Sequence, residues 1–351
     1  MFTIVIIAFF SLIGLLILHE LSHFLAAKSF QVKVEEFGIG YPPRLLGKKI
    51  GETIYSLNLL PFGAFIRIPD EKLNSRPIWQ RFVIMVAGVF SFWFFCAMLL
   101  SFVLMIGAPI QIDDSAIDFA DPHVRILTVS PASPAAESGL APGDLIMEFK
   151  SQLSGERQID KLAEFQDLVQ QNKGEKVILI LERGKEKREI TVIPRISPPA
   201  GEGALGVSLA RIGIKKYPLG EALVGGMRET FTLTITIVVG LARAVGNLFL
   251  KKPTGLELVG PVGIMNIFVQ TGSLGISYFL QTMAFISLNL AIFNALPLPV
   301  ADGGKIFLLA LEKIRKKPLN EKTEQKIYNV FFFLLLGLMI FATVKDVIKL
   351  F

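Results

Sequence analysis

Two of the three histidines in this 351-residue chain flank a glutamate in the stretch His19-Glu20-Leu21-Ser22-His23. On a helix, a spacing of four residues places both imidazoles on one face, one turn apart, where both can bind a single zinc ion. Glu20 then lies beside the metal, where it can act as a general base. The alternative is a chance match, because the pattern is short. That alternative must also explain why ionisable residues end a long apolar run, where a charge costs about 2.5–3.5 kcal/mol at mid-membrane.

A catalytic zinc site needs a third protein ligand and keeps one position for water. His123 is available by residue type, and Asp302 follows the run Asn294-Ala295-Leu296-Pro297-Leu298-Pro299-Val300-Ala301. The prolines cannot lie in a regular helix interior, so the chain unwinds there, which is tolerated only inside protein or in a wet cavity. An ordinary loop capped by Asp-Gly is the alternative. We favour Asp302 as the ligand because the topology below places it at the same membrane face as the two histidines, and His123 at the opposite face.

The elements that must position these residues are membrane helices. Hydrophobic residues make up 52% of the chain and charged residues 19%, and the mean hydropathy is +0.55, which is high for a soluble protein. Four stretches are long enough to cross about 30 Å of hydrocarbon. We expect the first to remain as a span, because a signal peptide would have basic residues before it and a small-residue cleavage site after it. Cys96, the only cysteine, leaves no intramolecular disulfide to form.

The segment 221–250 is ambiguous, because it is apolar but carries Arg228, Glu229 and Arg243. A fifth span is one interpretation. We favour the other, a long helix that lies in the membrane interface or packs along the membrane core.

Lysine and arginine residues set the orientation of the four spans. They are concentrated in the loop between the first two spans and in the loop between the last two. With four spans these loops lie on one side, which the positive-inside rule makes cytoplasmic. Both termini and the long central segment are then extracytoplasmic. The net charge of +6 could instead indicate a surface that binds nucleic acid. The basic residues, however, lie next to the ends of the membrane spans, which disfavours that interpretation.

Soluble structure is predicted on both sides of the membrane. In the central segment, residues 124–129, 177–181 and 189–193 have strand patterns, and residues 161–172 have a helix pattern. On the cytoplasmic side, residues 53–59 and 64–68 flank Pro61-Phe62-Gly63 and predict a hairpin close to the membrane.

We therefore predict the following segments, in chain order: a span with the HExxH pattern at 1–28, a cytoplasmic membrane-associated β region at 29–81, a span at 82–107, an extracytoplasmic domain at 120–197, a region with the ambiguous helix at 198–275, a span with an unwound end at 276–304, a cytoplasmic loop at 305–328 and a span at 329–347.

The motifs resemble those of the site-2 protease family of intramembrane zinc metalloproteases, in its RseP-like form. That family combines HExxH in its first transmembrane helix with a later NxxPxPxxDG, which is found here at 294–303. Residues 37–43 and 60–65 resemble its cytoplasmic β region, residues 139–144 resemble the start of a PDZ domain, and residues 260–264 resemble the Gly-Pro segment before its third core helix. Two departures are Ala301 and Lys305, where the family often has Leu and His. A single PDZ domain, where the Gram-negative type usually has two, is a third.

The resemblance implies a polytopic α-helical membrane protein with about four core transmembrane helices, a cytoplasmic β-hairpin region and an inserted extracytoplasmic PDZ-like α+β domain. It implies zinc held by His19, His23 and Asp302, with Glu20 as the catalytic base. It also implies that Asn294 and Asn289 hydrogen-bond the substrate backbone, although Asn289 can equally make an interhelical contact. The hairpin edge at 54–59 is expected to add the substrate as an extra strand.

The activity implied is cleavage of transmembrane segments of single-span proteins, such as anti-sigma factors or remnant signal peptides, in the bacterial cytoplasmic (inner) membrane. The expected partners are these substrates and the lipid bilayer, and nucleic acid is not expected. Two other functions compete with this one. A catalytically silent PDZ adaptor has no need of Glu20 or Asp302. A metal or ion transporter predicts inverted repeats, which the sequence does not show, and does not explain an extracytoplasmic PDZ domain.

Overall fold

The computed structural model describes residues 2–116, 119–184, 186–199, 201–255, 258–315 and 321–348. The described helices and strands follow one another in this order: α1 (Phe2–Ser29), β1 (Glu36–Ile50), β2 (Thr53–Arg67), α2 (Asp70–Asn74), α3 (Ile78–Ile106), β3 (Ala108–Gln111), β4 (Ala120–Val129), α4 (Pro134–Glu137), β5 (Leu145–Ser151), β6 (Gly155–Gln158), α5 (Leu162–Gln171), β7 (Val177–Arg183), β8 (Glu186–Val192), β9 (Val207–Lys215), α6 (Leu219–Phe249), α7 (Pro261–Ser273), α8 (Ile276–Ala295), α9 (Asp302–Arg315) and α10 (Glu321–Ile348).

Five of these helices are long and apolar enough to cross a membrane: α1, α3, α6, α8 and residues 325–348 of α10. Most residues in the apolar windows of these helices are not buried, and many large apolar side chains there are exposed, as expected of helices that face lipid. The sequence predicted four such spans and favoured an interfacial or membrane-packed helix over a fifth span for the segment that forms α6. By length and composition, α6 therefore qualifies as a fifth candidate.

The chain divides into two compact units, the first formed by residues 1–101, 223–269 and 281–351, and the second by residues 102–222 and 270–280. In the first unit, α6 runs antiparallel to α3. Trp93 Nε1 donates to Thr234 Oγ1 at 3.1 Å, and Cys96 Sγ lies 3.6 Å from Thr230 Oγ1. Helix α8 also packs on α3, where Ser287 Oγ donates to the carbonyl of Phe92 at 2.8 Å. These contacts pack both α6 and α8 against α3.

Strands β1 and β2 form a sheet of their own in the first unit. Residues 36–39 of β1 lie between two parts of β2, since Phe37 is opposite both Tyr55 and Ile66. Residues 44–50 of β1 then pair with 53–58 of β2 on its other side. The stretch 54–57 is therefore paired on both sides. The expectation that 54–59 is an open edge is wrong, because the start of β1 fills that position.

A buried polar cluster stabilises this small sheet. Ser56 Oγ and Arg44 Nη2 both donate to the carboxylate of Glu36, at 2.7 Å and 2.6 Å, and Arg67 lies 3.7 Å away. Burial by itself would raise the pKa of Glu36, but these hydrogen bonds and positive charges together hold that pKa below its ordinary value. Glu36 is therefore ionised and paired inside the sheet at neutral pH.

The second unit is built around a seven-stranded antiparallel sheet with the order β3-β9-β4-β5-β7-β8, in which β6 also pairs with β5. Its core includes Phe149 and Phe165, whose rings meet edge to face with centroids 6.2 Å apart. Asp144 is fully buried and accepts from Arg183 Nε at 2.6 Å. Because β3 and β9 belong to the sheet, it extends beyond the residues 120–197 expected from the sequence.

Candidate metal centre

Helix α1 presents His19 and His23 on one face toward α3, as the spacing of four residues requires. Both imidazoles are buried, at 8% and 5% exposure. His23 Nδ1 donates to the carbonyl of Ile84 in α3 at 2.7 Å. A carbonyl can only accept, so Nδ1 carries a proton, and the neutral ring then has its lone pair on Nε2, which lies toward the centre of the site.

Asp302 reaches the same place because α8 ends at Ala295. Pro297 and Pro299 keep the helix from continuing, as the sequence predicted, and the chain turns, with Ala301 N donating to the carbonyl of Leu298 at 2.9 Å. Asp302 then begins α9, which is held to α3 by an ion pair of 2.9 Å between Arg81 and Glu312.

The three predicted ligands converge. His19 Nε2 and His23 Nε2 lie 3.3 Å apart, and Asp302 Oδ2 lies 3.4 Å from the first and 3.1 Å from the second. A tetrahedral zinc with bonds of about 2.0–2.1 Å places its ligand atoms about 3.3–3.4 Å apart. The donor set and its spacing therefore fit zinc. Within the described part of the chain, this is the one group of three His, Cys, Asp or Glu side chains whose ligand atoms lie within 4.8 Å of one another.

The His19 ring is held by stacking. Its plane lies 13° from that of Phe92, with ring centroids 4.5 Å apart, and Phe92 is itself 2% exposed. Aromatic packing of this kind fixes the ring plane, so that Nε2 stays directed at Asp302.

Glu20 is half-buried and lies close enough to His23 and Asp302 to interact with both electrostatically. Its carboxyl group also contacts the backbone of Ile66, so β2 reaches the metal centre. Lys305, one turn after Asp302, is exposed and places a positive charge near both acidic groups. The sequence treated Lys305 only as a departure from the family pattern.

The hydrogen bonds of Asn294 and Asn289 do not link these side chains to the metal centre. Asn294 Nδ2 donates to the carbonyl of Leu290 at 2.9 Å, and Asn289 Nδ2 donates to the carbonyl of Phe285 at 2.8 Å. Both side chains thus bond back to their own helix, and their role in substrate binding stays a prediction. His123 lies in β4, opposite Ile212 of β9.

Gly88, inside α3, was not among the site residues predicted from the sequence. A Cβ atom at this position would collide with His23 Nε2 and would lie 2.6 Å from His19 Cε1. The signal available in the sequence was a glycine inside an uncharged helix, where alanine would favour the helix by about 1 kcal/mol.

Comparison with known proteins identifies the family. The model of the peptidase family M50 matches residues 7–338. The chain belongs to peptidase family M50. Its relatives include a Clostridium perfringens protein provisionally named a zinc metalloprotease, 33% identical over 98% of each chain. The chloroplastic membrane metalloprotease ARASP of Arabidopsis thaliana is 30% identical, over 96% of this chain and 77% of its own.

A third relative, the zinc metalloprotease RasP of Oceanobacillus iheyensis, is 24% identical over 99% of each chain. The similarity thus extends over nearly the whole length of this M50 peptidase, including both halves of the metal centre. The chain is a zinc metalloprotease of the membrane, and zinc is its cofactor.

Proposed function

We propose that this M50 peptidase is an intramembrane endopeptidase that cuts transmembrane segments of single-span proteins. One observation carries the proposal: the three zinc ligands converge on a site formed by two apolar helices and the segment that follows a third. A peptide bond can reach such a site only from within or beside the membrane. Anti-sigma factors and remnant signal peptides are the substrate classes that we propose.

In this mechanism His19, His23 and Asp302 would hold the zinc, which when bound would acidify its water and polarise the scissile carbonyl. Glu20 accepts the proton of the attacking water and passes it to the leaving amine. The backbone of Ile66 lies close enough to the Glu20 carboxyl to interact with it electrostatically.

A transmembrane helix hides its peptide bonds, so the substrate must be unwound and held extended. The edge best placed to hold it is residues 64–67 of β2, because they pair with β1 on one side and Ile66 adjoins Glu20. We propose that the substrate adds there as a strand, in place of the edge at 54–59. Asn294, in the last turn of α8, is proposed to bind the unwound backbone, and Asn289 one turn or more further back to assist it.

We further propose an RseP-like organisation with a single PDZ-like domain, formed by the sheet of the second unit. The turn at 139–144 supports this, because its buried Asp144 accepts from Ala141 N at 2.9 Å and closes the loop before β5. Residues 108–111 pair with 212–215 of β9 and so occupy part of an edge that a peptide would need for strand addition. That arrangement favours a domain that excludes large substrates sterically, and it disfavours a domain that binds the carboxyl terminus of the substrate.

For the topology we propose four crossing helices, with both termini and the PDZ-like domain extracytoplasmic and the metal centre near the cytoplasmic side of a bacterial inner membrane. Helices α6 and α8 both run antiparallel to α3 and so run in the same direction. If α6 crossed fully, residues 250–275 would have to return across the membrane. Helix α7, in that segment, has 13 residues and is about 20 Å long, too short for a crossing of about 30 Å.

The test is cleavage of a model single-span substrate in proteoliposomes, with zinc measured on the same sample. Wild-type protein should cut the substrate and stop when a chelator removes zinc. Glu20→Gln should keep its zinc and lose cleavage, because the ligands remain and the base does not. Glu229→Gln, an exposed carboxylate in another membrane helix, is the matched control and should cleave normally.

Wild-type protein that holds zinc but cuts nothing would favour the adaptor. Zinc uptake into the vesicles without cleavage would favour the transporter. Normal turnover by Glu20→Gln would remove Glu20 from the mechanism.

A further inference from the structure

The space beside the two imidazoles exists only because residue 88 has no side chain. Helix α3 runs antiparallel to α1 and places its backbone against the His19–His23 face. A Cβ atom on Gly88 would lie 2.5 Å from His23 Cε1 and 2.6 Å from His19 Cε1, well inside the contact distance of about 3.5–4.0 Å between carbon atoms. One position on α3 thus limits the orientation of both rings.

The same helix provides hydrogen-bond acceptors at matching intervals. The carbonyl of Ile84 accepts from His23 Nδ1 at 2.7 Å. Gly88 follows Ile84 by one turn, as His19 precedes His23 by one turn, and the backbone of Gly88 is the hydrogen-bonding group that faces the His19 ring. Yet His19 Nδ1 is buried and, among the described residues, makes no hydrogen bond of normal geometry.

Ser91 explains this unpaired nitrogen. Its Oγ donates to the carbonyl of Gly88 at 2.7 Å. In a helix the same carbonyl also accepts from the backbone N–H four residues later. A carbonyl oxygen has two lone pairs, so these two donors use both of them.

We propose that Gly88 is a positioning residue of the zinc site: its lack of a side chain admits both imidazoles, and its carbonyl accepts a hydrogen bond from His19 Nδ1 in competition with the Ser91 hydroxyl. A histidine that binds metal through Nε2 carries its proton on Nδ1 and needs an acceptor there. Buried donors without a partner are rare, and each reduces the stability of the state that contains it. Zinc binding therefore favours transfer of this acceptor from Ser91 to His19. This role rests on the proposed zinc ligands, and it adds a residue that contacts two of them, His19 and His23.

The experiment measures zinc affinity by competition with a chromogenic chelator, and the absorption of the Co²⁺-substituted protein, on purified full-length variants. Gly88→Ala should bind zinc about 10- to 100-fold more weakly and should lose the tetrahedral Co²⁺ spectrum. Gly14→Ala in α1 is the control, because a Cβ atom there meets nothing within 4 Å. Ser91→Ala should bind zinc several-fold more tightly, an increase that a purely structural serine would not produce.

Wild-type affinity in Gly88→Ala would overturn the proposal. If that variant does not fold, Ser91→Ala decides, and an unchanged or reduced affinity there would overturn the role of the carbonyl. Failure of the wild-type protein to bind zinc is a different result, which would count against the proposed function itself.

Discussion

Substitution of Gly304 by alanine should displace Asp302 without changing any proposed ligand. A Cβ atom on Gly304 would collide with the carbonyl oxygen of Leu298 and would lie 2.5 Å from its carbonyl carbon and 2.8 Å from Pro299 Cα. These are backbone atoms of the turn that brings Asp302 to the histidines, and the proline ring restricts how that turn can move. The turn must retreat by about 1 Å before the carbon contacts become normal.

A shift of that size matters because the ligand atoms are only 3.1–3.4 Å apart. Misplacement of a reacting group by about 1 Å can cost about 100-fold in rate. We therefore expect Gly304→Ala to bind zinc about 10- to 100-fold more weakly and to cleave a model substrate about 100-fold more slowly, with the helices intact by circular dichroism.

Gly337→Ala in α10 is the matched control, since it makes the same change in a membrane helix where a Cβ atom meets nothing within 4 Å. Zinc affinity by chelator competition and single-turnover cleavage should be measured on both variants. The reasoning is refuted if Gly304→Ala retains both zinc affinity and cleavage at the level of Gly337→Ala.

Three further outcomes are expected. Asn294→Ala should keep its zinc and cleave about ten- to a hundredfold more slowly, with the largest loss for substrates whose helices are stable. An equal loss for substrates with Gly or Pro at the cleavage point would mean that Asn294 only supports the fold. Glu36→Gln should lower the melting temperature at neutral pH. The difference in melting temperature from the wild type should vanish as the pH falls through the lowered folded-state pKa of Glu36, because an acid with a depressed pKa stabilises the fold only while it is ionised. The same difference at every pH would contradict this. Replacing residues 108–215 by a flexible linker should keep zinc and hydrolysis while admitting substrates with longer ectodomains, and a zinc-loaded, folded but inert product would assign that region to catalysis.

The sequence by itself determined the local part of the metal centre. Helical periodicity puts His19 and His23 on one face whatever surrounds them, because residues four apart always lie one turn apart. The two prolines before Asp302 end α8 for an equally local reason, since proline lacks the N–H that a helix interior needs. The long apolar helices also follow from composition alone.

Only the tertiary structure decided which partners those elements meet. Residues 54–57 have the pattern of a hairpin edge, yet they lie inside the sheet because the start of β1, about 18 residues earlier, pairs with them. Strand pairing of this kind depends on contacts between distant segments, which a local pattern does not encode. Gly88 is the clearest case: it has no side chain to suggest a role, and its importance comes from how closely α3 approaches the two histidines of α1.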